Sequence, residues 1–253
     1  PEAVALVKAA ADAVDLAGLH VYAGSQMTDV EAVLKNCEHG LQLAEALAAM
    51  GVSVRMVDLG GGFGVPYFDN SPEFDLKAFG EGFRTRIAAR AAATPALKDA
   101  ALIIELGRFM VAEAGLYVAR VLDVKQSRGT TYLVADGGMH HHITATGNFG
   151  QVFRKAYPMA ALNRLGQAPG AVATVVGPCC TPLDQFGSKV AVTAAEGDLL
   201  GIFYSGAYGY SASSMGFLSH PSPAEVLVFQ GKVHVLREGG AEDAVVRSQR
   251  PLP

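Results

Sequence analysis

Apolar positions follow two different rhythms in the first 110 residues. Val4 to Val14 is alanine-rich with apolar residues at helical spacing, and Gly18 is placed to end a helix. Residues 18–22, Gly-Leu-His-Val-Tyr, form a short strand candidate. Thr28-Asp29-Val30-Glu31 has the form of a capping box, which predicts a helix from there to about Met50. Val52 to Leu59 reads as a buried strand running into Gly60-Gly61-Gly62-Phe63-Gly64. Asp75 to Ala93 reads as a helix and Ala101 to Glu105 as another buried strand. Strands separated by helices imply βαβ units and a parallel sheet.

Beyond about Gly115 the rhythm shortens. Leu116–Val124, Thr130–Ala135, Ala171–Val176, Lys189–Val192, Asp198–Tyr204, Glu225–Phe229 and Lys232–Leu236 are β-rich runs parted by turn residues. This predicts an antiparallel β domain, a small barrel or sandwich. The change of pattern sets the expected division at 1–112 and 113–253. A complete eight-stranded barrel needs roughly 250 residues. The α/β part is therefore expected to be either a small open sheet or the last portion of a larger barrel.

Composition narrows the classes. The chain has 253 residues, 50% of them hydrophobic and 17% charged, as in a globular protein. A net charge of -4 gives no electrostatic case for nucleic acid or an anionic membrane. No apolar run reaches membrane-spanning length. The three cysteines, Cys37, Cys179 and Cys180, include an adjacent pair and do not suggest a disulfide framework, so a reducing cytoplasm is expected. The chain opens at Pro1 inside a helix-like pattern, as a fragment or processed product would.

Three polar motifs follow three successive strand candidates: Tyr22-Ala23-Gly24-Ser25-Gln26, the glycine run from Gly60, and Glu105-Leu106-Gly107-Arg108. In parallel α/β folds the carboxyl ends of strands carry the active site. A glycine run lets backbone N–H groups close on a phosphate, but also serves as a plain tight turn. No Lys-Ser/Thr follows it, so it is not a P-loop, and the spacing does not fit a dinucleotide fingerprint. Glu105 and Arg108 offer a carboxylate for a heterocyclic nitrogen and a guanidinium for an anion, or simply an ion pair. His140-His141-His142, read as a strand, would alternate faces and would not chelate one metal; no metal is expected. Cys180 and Asp184 lie in Gly177-Pro178-Cys179-Cys180-Thr181-Pro182-Leu183-Asp184, where a buried inert thiol is the default reading. Gly206-Ala207-Tyr208-Gly209-Tyr210 reads as a tight loop.

Taken in order, GLHVYAGSQ, VDLGGGFGVPY, IIELGRFMVAEAG, VADGGMHHH, VVGPCCTPLD, SGAYGYSASS and SPAEVLV resemble the fold-type III pyridoxal phosphate (PLP)-dependent decarboxylases. That family includes ornithine, arginine and diaminopimelate decarboxylases. The resemblance covers essentially the whole chain. Residues 136–158 look most similar to the decarboxylases associated with exosortase gene clusters and to those acting on carrier-bound amino acids. It implies the C-terminal part of a (β/α)8 PLP-binding barrel followed by an antiparallel β-barrel domain, in a homodimer with shared active sites. By motif, Ser25, Gly60, Gly61 and Gly62 would hold the cofactor phosphate, with Gly107 and Arg108 nearby and Tyr208 adding a hydrogen bond from the β domain. Glu105 would pair with the pyridinium nitrogen, and Cys180, from the partner subunit, would direct protonation after CO2 leaves. Asp136, Arg108, Thr181 and Asp184 would lie toward the substrate.

Three departures from the family pattern matter. Tyr22 stands where many relatives place a histidine that stacks on PLP; tyrosine can still stack. Thr181 follows the motif cysteine where relatives that bind a distal amine often carry Asp or Glu, which weakens the case for a simple diamino acid. The lysine that bonds PLP in the family has no counterpart here: Lys8 lies in a helix pattern, and the expected position is upstream of Pro1. A non-catalytic, decarboxylase-like regulatory protein is the alternative, disfavoured because Glu105, Arg108, Cys180 and Tyr208 are all present. A racemase on the same barrel is disfavoured by the cysteine-containing and Gly-Ala-Tyr motifs.

Overall fold

The computed structural model describes residues 2–10, 12–68, 71–149, 154–168, 170–241, 243–247 and 249–250. The chain forms two compact units, residues 1–66 with 70–110, and residues 67–69 with 111–253. The second unit resumes at Val111, close to the expected boundary at 112/113, and also takes in Tyr67 and Phe68.

The first unit holds α1 (Glu2–Ala9), β1 (Gly18–His20), α2 (Val30–Ala49), β2 (Met56–Gly61), α3 (Leu76–Gly82), a π-helical turn (Phe83–Ala88), α4 (Ala89–Ala93), β3 (Ala101–Glu105) and the start of α5 (Gly107–Val111). The strands form a parallel sheet in the order β1-β2-β3. Parallel strands need long crossovers, and α2 and the 76–93 helical segment supply them. Asp29, not Thr28, caps α2: its carboxylate accepts from Glu31 N and Ala32 N at 2.9 and 3.3 Å. One stripe of α2, Val33, Leu34, Cys37, Leu41 and Ala44, is buried in a core with Val57, Leu59, Ile87 and Leu97. Phe63, Phe74 and Phe79 extend that core, with ring centroids 4.4 Å apart for Phe63–Phe74 and 4.6 Å for Phe63–Phe79. Outside it, Arg86 pairs with Glu31 and Glu38, and Arg90 with Glu45, tying α2 to the helical segment that follows β2.

The second unit contains β4 (Tyr117–Ser127), β5 (Thr130–Ala135), β6 (Met159–Ala161), β7 (Val172–Val176), β8 (Gln185–Ala191), β9 (Leu199–Ile202), β10 (Glu225–Phe229), β11 (Lys232–Arg237) and the short α6 (Ala244–Arg247). Six strands form one sheet in the order β6-β9-β4-β5-β7-β8, and β10 and β11 form a separate hairpin. The expectation of purely antiparallel pairing needs correction, because β5 and β7 run parallel. Residues 136–158 and their neighbours carry the chain from β5 to β7 by a long connection, which makes that pairing possible. The sheet curls until its edge strands nearly meet: a Cβ on Gly187 of β8 would lie 2.7 Å from Ala156 Cβ and 3.5 Å from Met159 Cε beside β6. Leu133, Val121, Val175, Phe186, Leu200 and Ile202 fill the inside. Among the described residues no helix is long and apolar enough to cross a membrane.

Candidate active site

The first unit gathers its polar motifs at the C-terminal ends of β1, β2 and β3. The expected strand Val52–Leu59 lies instead at Met56–Gly61, so Gly60 and Gly61 belong to the strand end itself. The reason is space. A Cβ on Gly61 would sit 1.7 Å from Glu105 O, one on Gly60 2.2 Å from Val21 O, and one on Gly62 2.1 Å from Gly24 O. Gly60 and Gly62 also have φ of +71° and +79°, which glycine adopts without strain. Two neighbouring backbone segments, 21–25 after β1 and the end of β3, therefore converge on the glycine run, and Tyr22, Ser25, Gly60, Gly61, Gly62 and Glu105 come together. Tyr22 is 75% exposed. Gly107 and Arg108 follow in the first turn of α5.

Register adds two residues not singled out beforehand. His20 of β1 stands opposite Asp58 of β2. His20 Nε2 lies 3.5 Å from Glu105 Oε2, and His20, Asp58 and Glu105 each bring a donor atom within 4.8 Å of the others. Asp58 Oδ1 accepts from Gly60 N at 2.9 Å and so pins the glycine turn to its own strand. A signal was present, since Asp58 directly precedes the glycine motif by two positions and His20 precedes Tyr22 by two, which places each pair on one face of its strand.

In the second unit the remaining expected residues lie on loops beside β5, β7 and β9. Asp136 is exposed, and its Oδ1 accepts from Arg120 N at 2.8 Å. Asp184, expected near the substrate, is engaged with backbone in this chain. It is 3% exposed, and its two oxygens accept from Met139 N at 2.6 Å and Cys179 N at 2.7 Å. Gly138 and Gly177 give it room, since a Cβ on either would lie within 2.4 Å of its carboxylate. Asp184 thus braces the 136–142 loop against the 177–184 loop. Between these braced points Cys180 is exposed and Thr181 half-buried. The buried thiol of the pair is Cys179, pushed up to about 12 by burial and then by the Asp184 charge.

The three histidines form a turn rather than a strand, so the alternating-face argument fails for them. His140 and His142 are each 1% exposed and His141 is half-buried. His140 Nδ1 lies 3.2 Å from Cys179 Sγ. Burial, with help from His141 and His220, holds His140 down to about 3. A neutral imidazole and a protonated thiol at this distance share one hydrogen bond. His141 Nε2 donates to Pro221 O at 2.8 Å, so its Nδ1 accepts the Tyr117 hydroxyl at 3.0 Å. Burial lowers His142 to about 4. Its Nδ1 lies 3.1 Å from Thr144 Oγ1, which donates to Tyr208 O at 3.4 Å. Tyr208 itself holds a left-handed φ of +57°, a conformation a tyrosine keeps only where its surroundings impose it.

Known proteins resemble this chain. Residues 2–112 match the profile of the pyridoxal-dependent decarboxylase, pyridoxal binding domain. An L-glutamyl-[BtrI acyl-carrier protein] decarboxylase from Niallia circulans is 35% identical over 240 residues, covering 92% of this chain and 55% of the relative. Diaminopimelate decarboxylase of Pseudomonas aeruginosa is 30% identical over 252 residues, covering 100% of this chain and 57% of the relative. The chain therefore spans little more than half the length of these curated relatives. The crystal structure of diaminopimelate decarboxylase from Helicobacter pylori complexed with L-lysine matches with a TM-score of 0.78 at 26% identity, over 97% of this chain and 58% of that one. A profile match through the glycine-lined strand ends and an alignment that continues through the second unit make this chain a member of the fold-type III PLP-dependent decarboxylase family.

Proposed function

We propose that the chain is part of a PLP-dependent amino-acid decarboxylase, with its first unit forming the last βα units of a (β/α)8 barrel and its second a β-barrel domain. The observation that carries this reading is the convergence of the β1 and β3 ends on the glycine strip that ends β2, with a half-exposed carboxylate, Glu105, beside it. That arrangement suits PLP: a glycine run whose backbone N–H groups can bind a phosphate, and an anion for a ring nitrogen. When bound, PLP supplies the sink for the electron pair left as a substrate carboxylate departs as CO2.

The chain's own groups then have distinct tasks. Ser25 and the backbone of Gly60, Gly61 and Gly62 bind the phosphate, with Gly107 leaving space and Arg108 adding charge. Tyr22 covers a face of the ring. Glu105 keeps the ring nitrogen protonated. Tyr208 contributes a hydroxyl to the phosphate, and Cys180, from the partner subunit of a homodimer, supplies a proton from Sγ to the carbon that has lost its carboxylate. One C–C bond breaks and one C–H bond forms, giving an amine. Asp136 and Thr181 face the substrate, as Arg108 does with its charge.

The substrate class we infer is an amino acid without a compact distal ammonium, such as one joined to a carrier protein. Thr181 offers no charge for an ammonium, and the relative from Niallia circulans acts on a carrier-bound glutamyl group. The test uses the full-length protein: borohydride reduction, then mass spectrometry of any PLP-labelled lysine. A labelled lysine outside residues 1–253 supports the proposal, and a full-length protein that takes up no PLP refutes it. Cys180→Ala should retain PLP and lose product formation; unchanged turnover would remove Cys180 from the mechanism.

A further inference from the structure

We propose that His20 is a positioning residue for Glu105, and that it acts on the cofactor only through that carboxylate. The inference rests on the PLP reading above. It starts from register: β1 and β2 run parallel with His20 opposite Asp58, so the two side chains emerge on the same face at neighbouring strand ends. β3 delivers Glu105 opposite Gly61, after a shift of register between Asp58 and Gly61. Gly61, the residue paired with Glu105, offers it no side chain. The space is bridged from two strands away, with His20 Nε2 at 3.5 Å from Glu105 Oε2.

Asp58 completes the arrangement. One of its oxygens is engaged by Gly60 N at 2.9 Å, and the carboxylate lies within 4.8 Å of the donor atoms of both His20 and Glu105. His20 therefore lies close to two carboxylates, one from each of the other two strands. One fixes the glycine turn and the other is aimed at the ring nitrogen. A donor close to both offsets the repulsion of like charges that would otherwise push Glu105 away from its working direction. The His20 and Glu105 side chains are 51% and 55% exposed, which leaves Glu105 a free side to offer a ligand. An unheld glutamate has three rotatable bonds; one held by His20 is preorganised before the cofactor arrives.

The test is a double-mutant cycle in the full-length protein, read as PLP affinity by the cofactor's absorbance or fluorescence. His20→Ala should weaken PLP about tenfold in the wild-type background. In a Glu105→Gln background the same change should cost less than about twofold, because the group it acts through no longer carries charge. His20→Gln, which keeps an N–H near the Nε2 position, should recover most of the affinity, whereas His20→Asn, whose amide stops short, should not. Equal losses in both backgrounds would mean that His20 supports the strand end rather than Glu105, and would overturn the proposal. So would a His20→Ala protein that binds PLP like wild type. Should His20→Ala not fold, the Gln and Asn pair decides, with equal affinities counting against the proposal. A wild-type protein that fails to bind PLP would instead refute the parent reading, so the two failures are separable.

Discussion

Removing the Asp184 carboxylate separates a brace from a substrate contact. In the folded chain its oxygens take two backbone amides, Met139 N at 2.6 Å and Cys179 N at 2.7 Å, from loops about 40 residues apart. Asp184→Ala leaves both amides without an acceptor in a place closed to water, where each orphaned donor costs roughly 1–3 kcal/mol. The cavity left by the side chain adds to that loss. The expected destabilisation is about 4 kcal/mol. Asp184→Asn keeps one oxygen but turns an NH2 toward the second amide, so its cost should fall near 2 kcal/mol. Urea unfolding followed by circular dichroism reads these as shifts of midpoint at constant slope. Hydrogen exchange at the β7 amides assigns the loss to the second unit. A substrate contact behaves otherwise: Asp184→Ala would unfold at the wild-type midpoint and change only KM in the full-length enzyme. A shift below about 0.5 kcal/mol, within the range of ordinary surface changes, would refute the bracing role.

Three further outcomes follow from the same structure. Gly61→Ala places a methyl 1.7 Å from Glu105 O and should cost about 2–3 kcal/mol with loss of PLP binding, whereas Gly80→Ala, on a helix with nothing within 4 Å, should stabilise by about 0.5–1 kcal/mol; the two midpoints measured side by side check this. Alkylation at pH 8 followed by peptide mapping should modify exposed Cys180 first, because burial holds Cys179 up at about 12 and Cys37 up at about 11; early labelling of Cys179 would contradict the geometry. The buried histidines should make the second unit acid-sensitive. Their folded values, about 3 for His140 and about 4 for His142, lie below the ordinary 6.5, so the unfolded state binds more protons between those limits and stability falls as pH drops below 6.5. With both groups contributing, the slope between pH 5.5 and 4.5 approaches roughly 2–3 kcal/mol per pH unit, and a His142→Phe variant should lose about half of it.

What could be read from the chain, and what could not, divides along a physical line. Elements set by one segment were legible: the apolar stripe of α2, the apolar run of β3 (a strand, though half-buried rather than buried) and the hairpin from Glu225 to Arg237 each declare themselves by period and turn residues. Features set by two segments were not. Glycines at 60 and 61 read as a loop because their local propensity is poor for a strand, yet β2 continues through them since Val21 O and Glu105 O leave no room for any other residue. The short β6 follows Pro158 and is three residues long, too few for a period, and exists because β9 pairs with it. The histidine run suggested a strand by its composition, but Asp184, acting across 45 residues, draws the backbone at Met139 into a turn and puts His140 against Cys179. Motif spacing likewise pointed to Glu105 without its neighbour. Only the parallel register of β1 on β2 brings His20 level with Asp58, and a shift of one residue would send His20 to the opposite face of the sheet, away from Glu105. The chemistry of this strand end therefore depends on pairing as much as on residue type, which is why the PLP affinity of His20 and Glu105 variants must be measured together rather than one at a time.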